Sequence, residues 1–201
     1  MLDQSLDPKY SQMSSSLFEG ETQTETYNEL QGHLYEIAAA IRAHPTNPNS
    51  FDYPADRLLK CFGTVSDREM YRPNPSTIDQ DGDPVIMVVK NGIASKLTVG
   101  RLNTIRGFLR VYSRNIPSKM SKEISVLPRD SKSGPFSARG DCGSVVIDGS
   151  GRICGILTGG DGANDLSDHS FVTSINFILK RLAAFGIEAN IFPSPNDLSP
   201  L

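Results

Sequence analysis

The sequence predicts an all-β protein with flanking helices, organised around a six-stranded antiparallel barrel. After Pro84 the chain changes from loop-rich sequence to consecutive short apolar runs separated by turn residues. The last run, residues 170–173, leads into apolar residues at helical spacing. A chain of 201 residues suffices for one domain with a sizeable core, whereas two complete barrels of this kind would be a tight fit.

Six segments have the composition of strands, and their number matches one closed or nearly closed barrel. The first is followed by Asn91-Gly92, a strong turn signal. Gly100 and Gly107 predict bends or bulges in the second. The six segments are residues 85–90, 97–112, 123–127, 143–147, 152–158 and 170–173.

The N-terminal part of the chain is expected to be helix- and loop-rich over residues 24–84. An apolar stripe at three- and four-residue spacing favours a helix over 24–43. Residues 57–65 have the composition of a strand, and the proline-containing stretch 66–84 is expected to be a surface connection. The polar residues 1–23 cannot bury enough apolar surface to order themselves and are predicted to be a disordered tail.

The barrel and a terminal helix are predicted to occupy residues 85–187. Thr173 or Ser174 is available as the N-cap of that helix, and Gly186 is placed to end it. Residues 188–201 are rich in proline and polar residues, so we expect a second disordered tail.

The composition limits the compartment and the partners. The net charge of −3 gives no general attraction to nucleic acid or to acidic membranes. The first residues form no signal peptide, and no run of about 18 apolar residues occurs. We therefore expect an intracellular, cytoplasmic protein that does not associate with membranes.

The three cysteines, Cys61, Cys142 and Cys154, have no metal-ligand spacing and are expected to be free thiols. A hairpin that pairs Asp148 with Gly151 would set Cys154 opposite Val145, which disfavours a disulfide to Cys142. We expect no metal and no cofactor, because the aspartates at 79, 81 and 83 do not fit a calcium-binding loop.

A basic stretch with interleaved aromatic residues begins in the second strand segment. Such a pattern can hold single-stranded nucleic acid. Because the whole chain is acidic, a solvated rim of the barrel is favoured and nucleic acid is not expected as a partner. The basic residues are Arg101, Arg106, Arg110, Arg114, Lys119 and Lys122, with Phe108 and Tyr112 between them.

Gly140-Asp141-Cys142-Gly143 places a thiol between two glycines at the start of an apolar strand. Glycine tolerates backbone angles that a side chain forbids, so the motif permits a tight turn that directs consecutive N–H groups to one point. Converging N–H groups beside a nucleophile can stabilise an oxyanion.

The run GDCGS resembles GDSG(G/S), the nucleophile motif of chymotrypsin-like peptidases, with cysteine in place of serine. VVKNGIASKLTVGRLN is similar to the hairpin that opens the second barrel of bacterial and fungal trypsin-like proteins, and HSFVTSINFILKRL to its last strand and terminal helix. The whole stretch SGPFSARGDCGSVVIDGSGRICGILTGG is similar to fungal trypsin-like domains. The resemblance implies the second barrel of the chymotrypsin-like fold.

By position, the resemblance makes Cys142 the nucleophile and assigns the N–H groups of Gly140 and Cys142 to the oxyanion hole. Asp141 resembles the aspartate that orders this loop in secreted relatives by pairing with a newly cleaved N-terminus. No activation site is evident, so a local turn-capping role is expected for Asp141. The implied substrate-binding residues are Phe136 near the base of the specificity pocket, Thr158, Gly159 and Gly160 along its wall, and His169 on the pocket side.

The catalytic histidine and acid of this family come from a first barrel, which residues 1–84 cannot build. The only histidines are His33, His44 and His169, and none has a matching position. The expected function is therefore a peptidase domain or remnant that is weak or inactive alone. A non-catalytic module that binds an extended peptide or protein by strand addition, and a truncated product of a longer ancestor, remain as alternatives. The oligomeric state stays open.

Overall fold

The computed structural model describes residues 61–110, 120–161 and 169–193. The predictions for residues 1–60, including the helix over 24–43, lie outside the described residues, as do those for residues 111–119 and 194–201. The described elements are the helices α1 (Asp67–Tyr71) and α2 (Ile175–Ala184) and the strands β1 (Ile86–Gly92), β2 (Lys96–Arg110), β3 (Met120–Pro128), β4 (Val145–Asp148), β5 (Ile153–Asp161) and β6 (His169–Ser174).

The six strands close into an antiparallel barrel in the order β1-β2-β3-β6-β5-β4. Closure brings β1 and β4 side by side, with Val88 opposite Asp148 and Lys90 opposite Val146. The predicted barrel and its six strands are confirmed. The pairing of β1 with β4 connects the first hairpin to the segment that follows the GDCGS motif.

Two apolar clusters stabilise the barrel, and β1 contributes to both. Successive side chains on a strand point to opposite faces. Ile86 and Val88 accordingly join the cluster shared by all six strands, whereas Met87 and Val89 join a second cluster that includes Ile175 of α2. The continuous apolar run in β1 therefore reflects burial on both faces.

The glycines of β2 have a different role from the predicted one. A Cβ on Gly100 would lie 2.6 Å from the ring of Phe136, and one on Gly107 would lie 2.6 Å from the ring of Phe171. The register shift between β2 and β3 falls between Leu102 and Arg106. These glycines therefore allow aromatic rings to approach the strand, and neither marks the bulge.

The N-terminal predictions need two corrections. The described part of the predicted strand 57–65 is not a regular strand: Thr64 forms an isolated parallel bridge to Ile153, and the N–H groups of Phe62 and Val65 donate to the carbonyls of Gly151 and Ile153. The predicted connection 66–84 contains α1, where the Ser66 hydroxyl accepts the Glu69 N–H at 3.1 Å. A helix of five residues is too short to give a periodic pattern, so the sequence does not reveal it.

The hairpin between β4 and β5 also differs from the expected register. A bulge between Val146 and Ile147 sets Val145 opposite Ile156 and not opposite Cys154. Cys154 is buried in the barrel, and all three cysteines are free thiols. The expected absence of a disulfide holds, although the pairing used to argue for it was wrong.

The C-terminal helix α2 follows β6 directly. Ser174 occupies the N-cap position, but its hydroxyl donates to Asp67 at 2.8 Å and makes no cap hydrogen bond. Gly186 lies just beyond the helix at a φ of 76°. Ile191, within the predicted C-terminal tail, packs against the second cluster, so the packed chain continues past the helix.

None of the helices in the described ranges has the length and apolar character needed to cross a bilayer.

Candidate functional site

The GDCGS motif forms an exposed elbow between β3 and β4. Gly140 and Gly143 have φ values of 111° and 94°, in the region that side chains rarely adopt. The N–H of Gly143 donates to the Leu157 carbonyl at 2.8 Å, and the N–H of Ser144 donates to the Asp141 carbonyl at 3.0 Å. Cys142 is exposed at the tip. The backbone therefore fixes the elbow on both sides of the thiol.

Two N–H groups of the elbow remain available. Within the described ranges, the N–H groups of Gly140 and Cys142 have no hydrogen-bond acceptor, whereas those of Asp141, Gly143 and Ser144 each have one. Backbone donors in folded proteins are almost always satisfied by protein or by water. These two donors can therefore bind a ligand oxygen without breaking a bond of the protein.

Asp141 points the other way and is buried. Its Oδ1 accepts the N–H groups of Ala94 at 2.8 Å and Ser95 at 3.2 Å, and its Oδ2 accepts the N–H of Ala138 at 2.9 Å and the Ser95 hydroxyl at 2.5 Å. The carboxylate thus joins the Cys142 elbow to the turn between β1 and β2. Lys96, the first residue of β2 after this turn, has a φ of 57°, which side chains rarely adopt.

Lys90 provides the positive charge for this carboxylate. Its Nζ lies 3.1 Å from Asp141 Oδ2, and neither side chain is exposed to solvent. The ammonium also donates to the Ser95 hydroxyl at 2.5 Å and lies 5.5 Å from the centroid of the Phe136 ring. A buried charge requires a partner and satisfied hydrogen bonds, and Asp141 and Ser95 provide both.

The same contacts control the ionisation of Asp141. Burial by itself would raise the pKa of this carboxyl group, but hydrogen bonds from Ser95, from the N–H groups of Ala138 and Ala94, and from Lys90 outweigh it. The pKa of Asp141 is consequently held well below its usual range. Asp141 is therefore an anion at neutral pH, at the base of the elbow.

The predicted pocket wall lies on β5, next to the elbow. The pairing of β4 with β5 ends at Val145 opposite Ile156, whereas β5 continues to Asp161 and pairs there with β6. Thr158 and Gly160 are exposed on this extension. The edge of β5 beyond Leu157 is therefore not covered by a neighbouring strand in the described structure.

Phe136, predicted near the base of the pocket, is fully buried in the barrel core. The next residue, Ser137, borders the pocket wall instead: its Oγ would lie 3.4 Å from a Cβ on Gly160. The Ser137 hydroxyl also contacts that of Ser170 at 2.6 Å. Ser137 was not predicted as a site residue because nothing in a lone serine distinguishes it from a loop residue.

His169, predicted on the pocket side, begins β6 opposite Asp161. Its Nδ1 lies 3.1 Å from the Ser125 hydroxyl of β3. Among the described residues, no hydrogen bond joins Cys142 to a histidine or a carboxylate. His33 and His44 lie outside the described residues, so the described structure brings together the predicted nucleophile, the two N–H donors and Asp141 but no general base.

Lys90 and Ser95 complete the site and were not predicted. Lysine at the end of an apolar strand usually marks the point where a strand reaches solvent. The available signal was the unbroken apolar run before Lys90, which indicates a strand buried on both faces up to that position.

No protein-family model matches the chain, and no curated protein sequence matches it. Solved structures show similarity to parts of it. A chymotrypsin of Cellulomonas bogoriensis is similar over 54% of this chain and 51% of its own, with 19% identity and a TM-score of 0.38.

Two further proteases match in the same way. A glutamic acid specific serine protease, described as using a novel histidine triad in substrate binding, is similar over 50% of this chain and 46% of its own, with 20% identity and a TM-score of 0.34. A protease of M. tuberculosis in its active form is similar over 53% of this chain and 44% of its own, with 17% identity and a TM-score of 0.37. The chain thus spans about half the length of each of these structures.

Proposed function

We propose that this barrel binds an extended peptide across the Cys142 elbow and that Cys142 is the nucleophile of a peptidase-type site with weak turnover. The observation that carries the proposal is the exposed thiol on a rigid glycine elbow beside two unengaged N–H groups, those of Gly140 and Cys142. A nucleophile and its oxyanion donors thus come from one short stretch of backbone.

The reaction would begin with attack of the Cys142 thiolate on a peptide carbonyl carbon. A C–S bond forms while the π pair of the carbonyl moves to oxygen, where the N–H groups of Gly140 and Cys142 hold the negative charge. Collapse of this intermediate breaks the C–N bond, and the leaving amine takes up a proton from solvent water, to which the thiol gave its own proton. Water then hydrolyses the thioester, which releases the acid and returns the thiol.

The peptide would lie along β5. Residues 158–161 extend past the end of β4, so their outer edge can accept a peptide as an added strand. Thr158, Gly159 and Gly160 form the wall beside that strand, and Ser137 and His169 flank it. The resemblance of the GDCGS segment to fungal trypsin-like domains supports the same placement, and a reducing intracellular compartment would keep the thiol active.

Weak turnover follows from the missing base. Activation of a thiol normally depends on a histidine within hydrogen-bond reach of its sulfur. In the described part of the chain, the Cys142 sulfur has no such partner, and His169 contacts Ser125 instead. A faster enzyme would need a histidine supplied by residues outside the described ranges or by another chain.

The test compares two alkylating reagents on Cys142. For each reagent, the rate of labelling is measured on Cys142 and on a free cysteine peptide. The ratio of the rate with a peptide chloromethyl ketone that binds along β5 to the rate with iodoacetamide should be higher on Cys142 than on the free peptide. Mass spectrometry of tryptic fragments identifies the labelled residue, and Cys61→Ser removes the other exposed thiol. A ratio equal to that of free cysteine would refute a peptidase-type site.

A non-catalytic peptide-binding module is the second candidate. It is favoured by the uncovered edge of β5 together with the lack of a base among the described residues. Calorimetry with Cys142→Ala separates the two functions: a pure binding module keeps full affinity for extended peptides, and the wild-type protein releases no cleaved product from them. Detectable cleavage that disappears in Cys142→Ala would decide for the peptidase.

A further inference from the structure

A second surface with unusual chemistry lies at the far end of the β2–β3 hairpin. Phe108 lies opposite Lys122, and Arg110 lies opposite Met120, so these side chains share one face. Tyr71 of α1 packs onto the same face. We call this the hairpin surface and define it by Tyr71, Arg106, Phe108, Met120 and Lys122.

Two cations of the hairpin surface are held together by one aromatic ring. The Arg106 guanidinium carbon lies 4.5 Å from the centroid of the Tyr71 ring, and the Lys122 Nζ lies 5.1 Å from it. Within the described ranges, neither cation forms an ion pair with a carboxylate, and Arg106 Nη1 is buried without a hydrogen-bond partner. Two like charges are thus kept adjacent with no anion of the described chain between them.

Apolar side chains lie beside these cations. Phe108 and Met120 are each 64% exposed, although burial of side chains of this size is favourable in free energy. An exposed apolar side chain flanked by cations is chemically suited to a ligand that carries both an apolar group and negative charges.

The distribution of charge shows both the sign and the size of that ligand. The residues from Pro84 to Lys122 include eight Lys and Arg and no Asp or Glu, in a chain of net charge −3. Next to Tyr71, a cleft of about 650 Å³ is lined by three aspartates and two arginines, namely Asp79, Asp81, Asp83, Arg72 and Arg101. The excess of positive charge therefore does not continue past Tyr71, which favours a short acidic ligand over a long polyanion.

We propose that the hairpin surface is a docking site for a short acidic segment of a partner protein, one that carries an apolar side chain between acidic residues. The apolar side chain packs on Phe108 and Met120, and the flanking carboxylates pair with Arg106 and Lys122. This proposal does not depend on the activity of Cys142.

The test uses a short fluorescein-labelled peptide with glutamates on both sides of one phenylalanine, and fluorescence anisotropy with the full chain. Binding should weaken as salt is raised, because exposed charges carry much of the attraction. Lys122→Glu should lower the affinity roughly three- to tenfold. Phe108→Ser should lower it as well, and the matched change Lys180→Glu, on the exposed face of α2, should leave it unchanged.

Three outcomes would overturn the proposal. The first is that the wild-type protein binds the glutamate peptide no more tightly than the same peptide with lysines in place of the glutamates. The second is equal weakening by Lys122→Glu and Lys180→Glu. The third is tighter binding of an oligothymidylate of similar length, which would assign the surface to nucleic acid. If Lys122→Glu fails to fold by circular dichroism, Lys122→Gln gives the same comparison with a smaller expected change.

Discussion

Strand β4 is held at its two ends by two ion-pair clusters of very different exposure. Before the strand, Asp141 pairs with Lys90, and neither side chain is accessible to solvent. After it, Asp148 pairs with Arg152, which also reaches Glu69 of α1; the exposed fractions are 31% for the Arg152 side chain and 34% for that of Glu69. The first cluster positions the Cys142 elbow, and the second fastens α1 to the β4–β5 turn.

The two clusters differ in how far they depend on a single contact. Arg152 binds Glu69 through both Nη atoms, at 3.0 and 2.7 Å, and Asp148 keeps backbone N–H bonds from Ser150 and Arg152 if the guanidinium is removed. If Lys90 is removed, Asp141 likewise keeps the N–H bonds of Ala94, Ser95 and Ala138. Its buried carboxylate then has no other cation among the described residues, whereas Arg152 and Glu69 stay partly accessible to water. The lesson is that the energetic weight of an ion pair depends on what remains when one partner is lost.

The largest effect should come from Lys90→Met. Removing the ammonium leaves a buried, unpaired carboxylate, which typically costs about 3–5 kcal/mol of folding stability. Urea unfolding followed by circular dichroism measures the change, with Lys180→Met as the matched control on the surface. A loss below about 1 kcal/mol would show that the pair is less enclosed than its geometry indicates.

The double variant Lys90→Met, Asp141→Asn sharpens this prediction. With the charge also removed from position 141, the loss should be clearly smaller than the sum of the two single losses, because the neutral amide no longer needs a cation. Additive losses would mean that the two side chains do not act as a pair.

Acid should also weaken the pair of Asp141 and Lys90, with a smaller loss of stability than Lys90→Met causes. The folded pKa of Asp141 is lowered relative to its unfolded value of about 3.9. Its contribution to stability is therefore complete above that value and is lost as the pH falls below it toward the folded pKa. Urea midpoints measured between neutral and acidic pH should decline less steeply below about pH 4 in Asp141→Asn than in the wild type. Equal slopes would contradict the assignment.

The smallest effects belong to the exposed cluster. Arg152→Lys loses the two-pronged contact with Glu69 but keeps a charge near Asp148, and we expect a loss of about 1 kcal/mol. Glu69→Gln should cost less, about 0.5 kcal/mol, because half-exposed pairs are screened by water and salt. The same urea assay checks both changes, and a loss in Arg152→Lys as large as that in Lys90→Met would erase the contrast between the clusters.

The barrel itself was predictable because strands and turns leave local patterns. Alternation and apolar runs identified all six strands, with ends misplaced by a few residues. The turn predicted at Asn91-Gly92 was wrong by a few residues, because both belong to β1 and pair with Leu97 and Lys96. The short helix α1 and the bulge between Val146 and Ile147 were not predictable. A five-residue helix has too few turns for periodicity, and a bulge depends on packing against the partner strand.

The candidate site was predictable in part for the same reason. The glycines of the GDCGS motif require unusual backbone angles, and those requirements are local, so the amino-acid sequence alone assigns Gly140 and Gly143 to an elbow. The partners of Asp141 are far away in sequence. Lys90 and Ser95 reach it only because the barrel closes β1 onto β4.

The amino-acid sequence by itself determined the barrel, the order of its strands along the chain and the glycine elbow around Cys142, because backbone preferences and apolar alternation act over a few residues. Only the tertiary structure decided that Lys90 neutralises Asp141 and that aromatic rings pack against Gly100 and Gly107. It also decided that Arg106 and Lys122 both contact the ring of Tyr71. These features join residues far apart in the chain, and burial, which sets their energies, exists only once the barrel has closed.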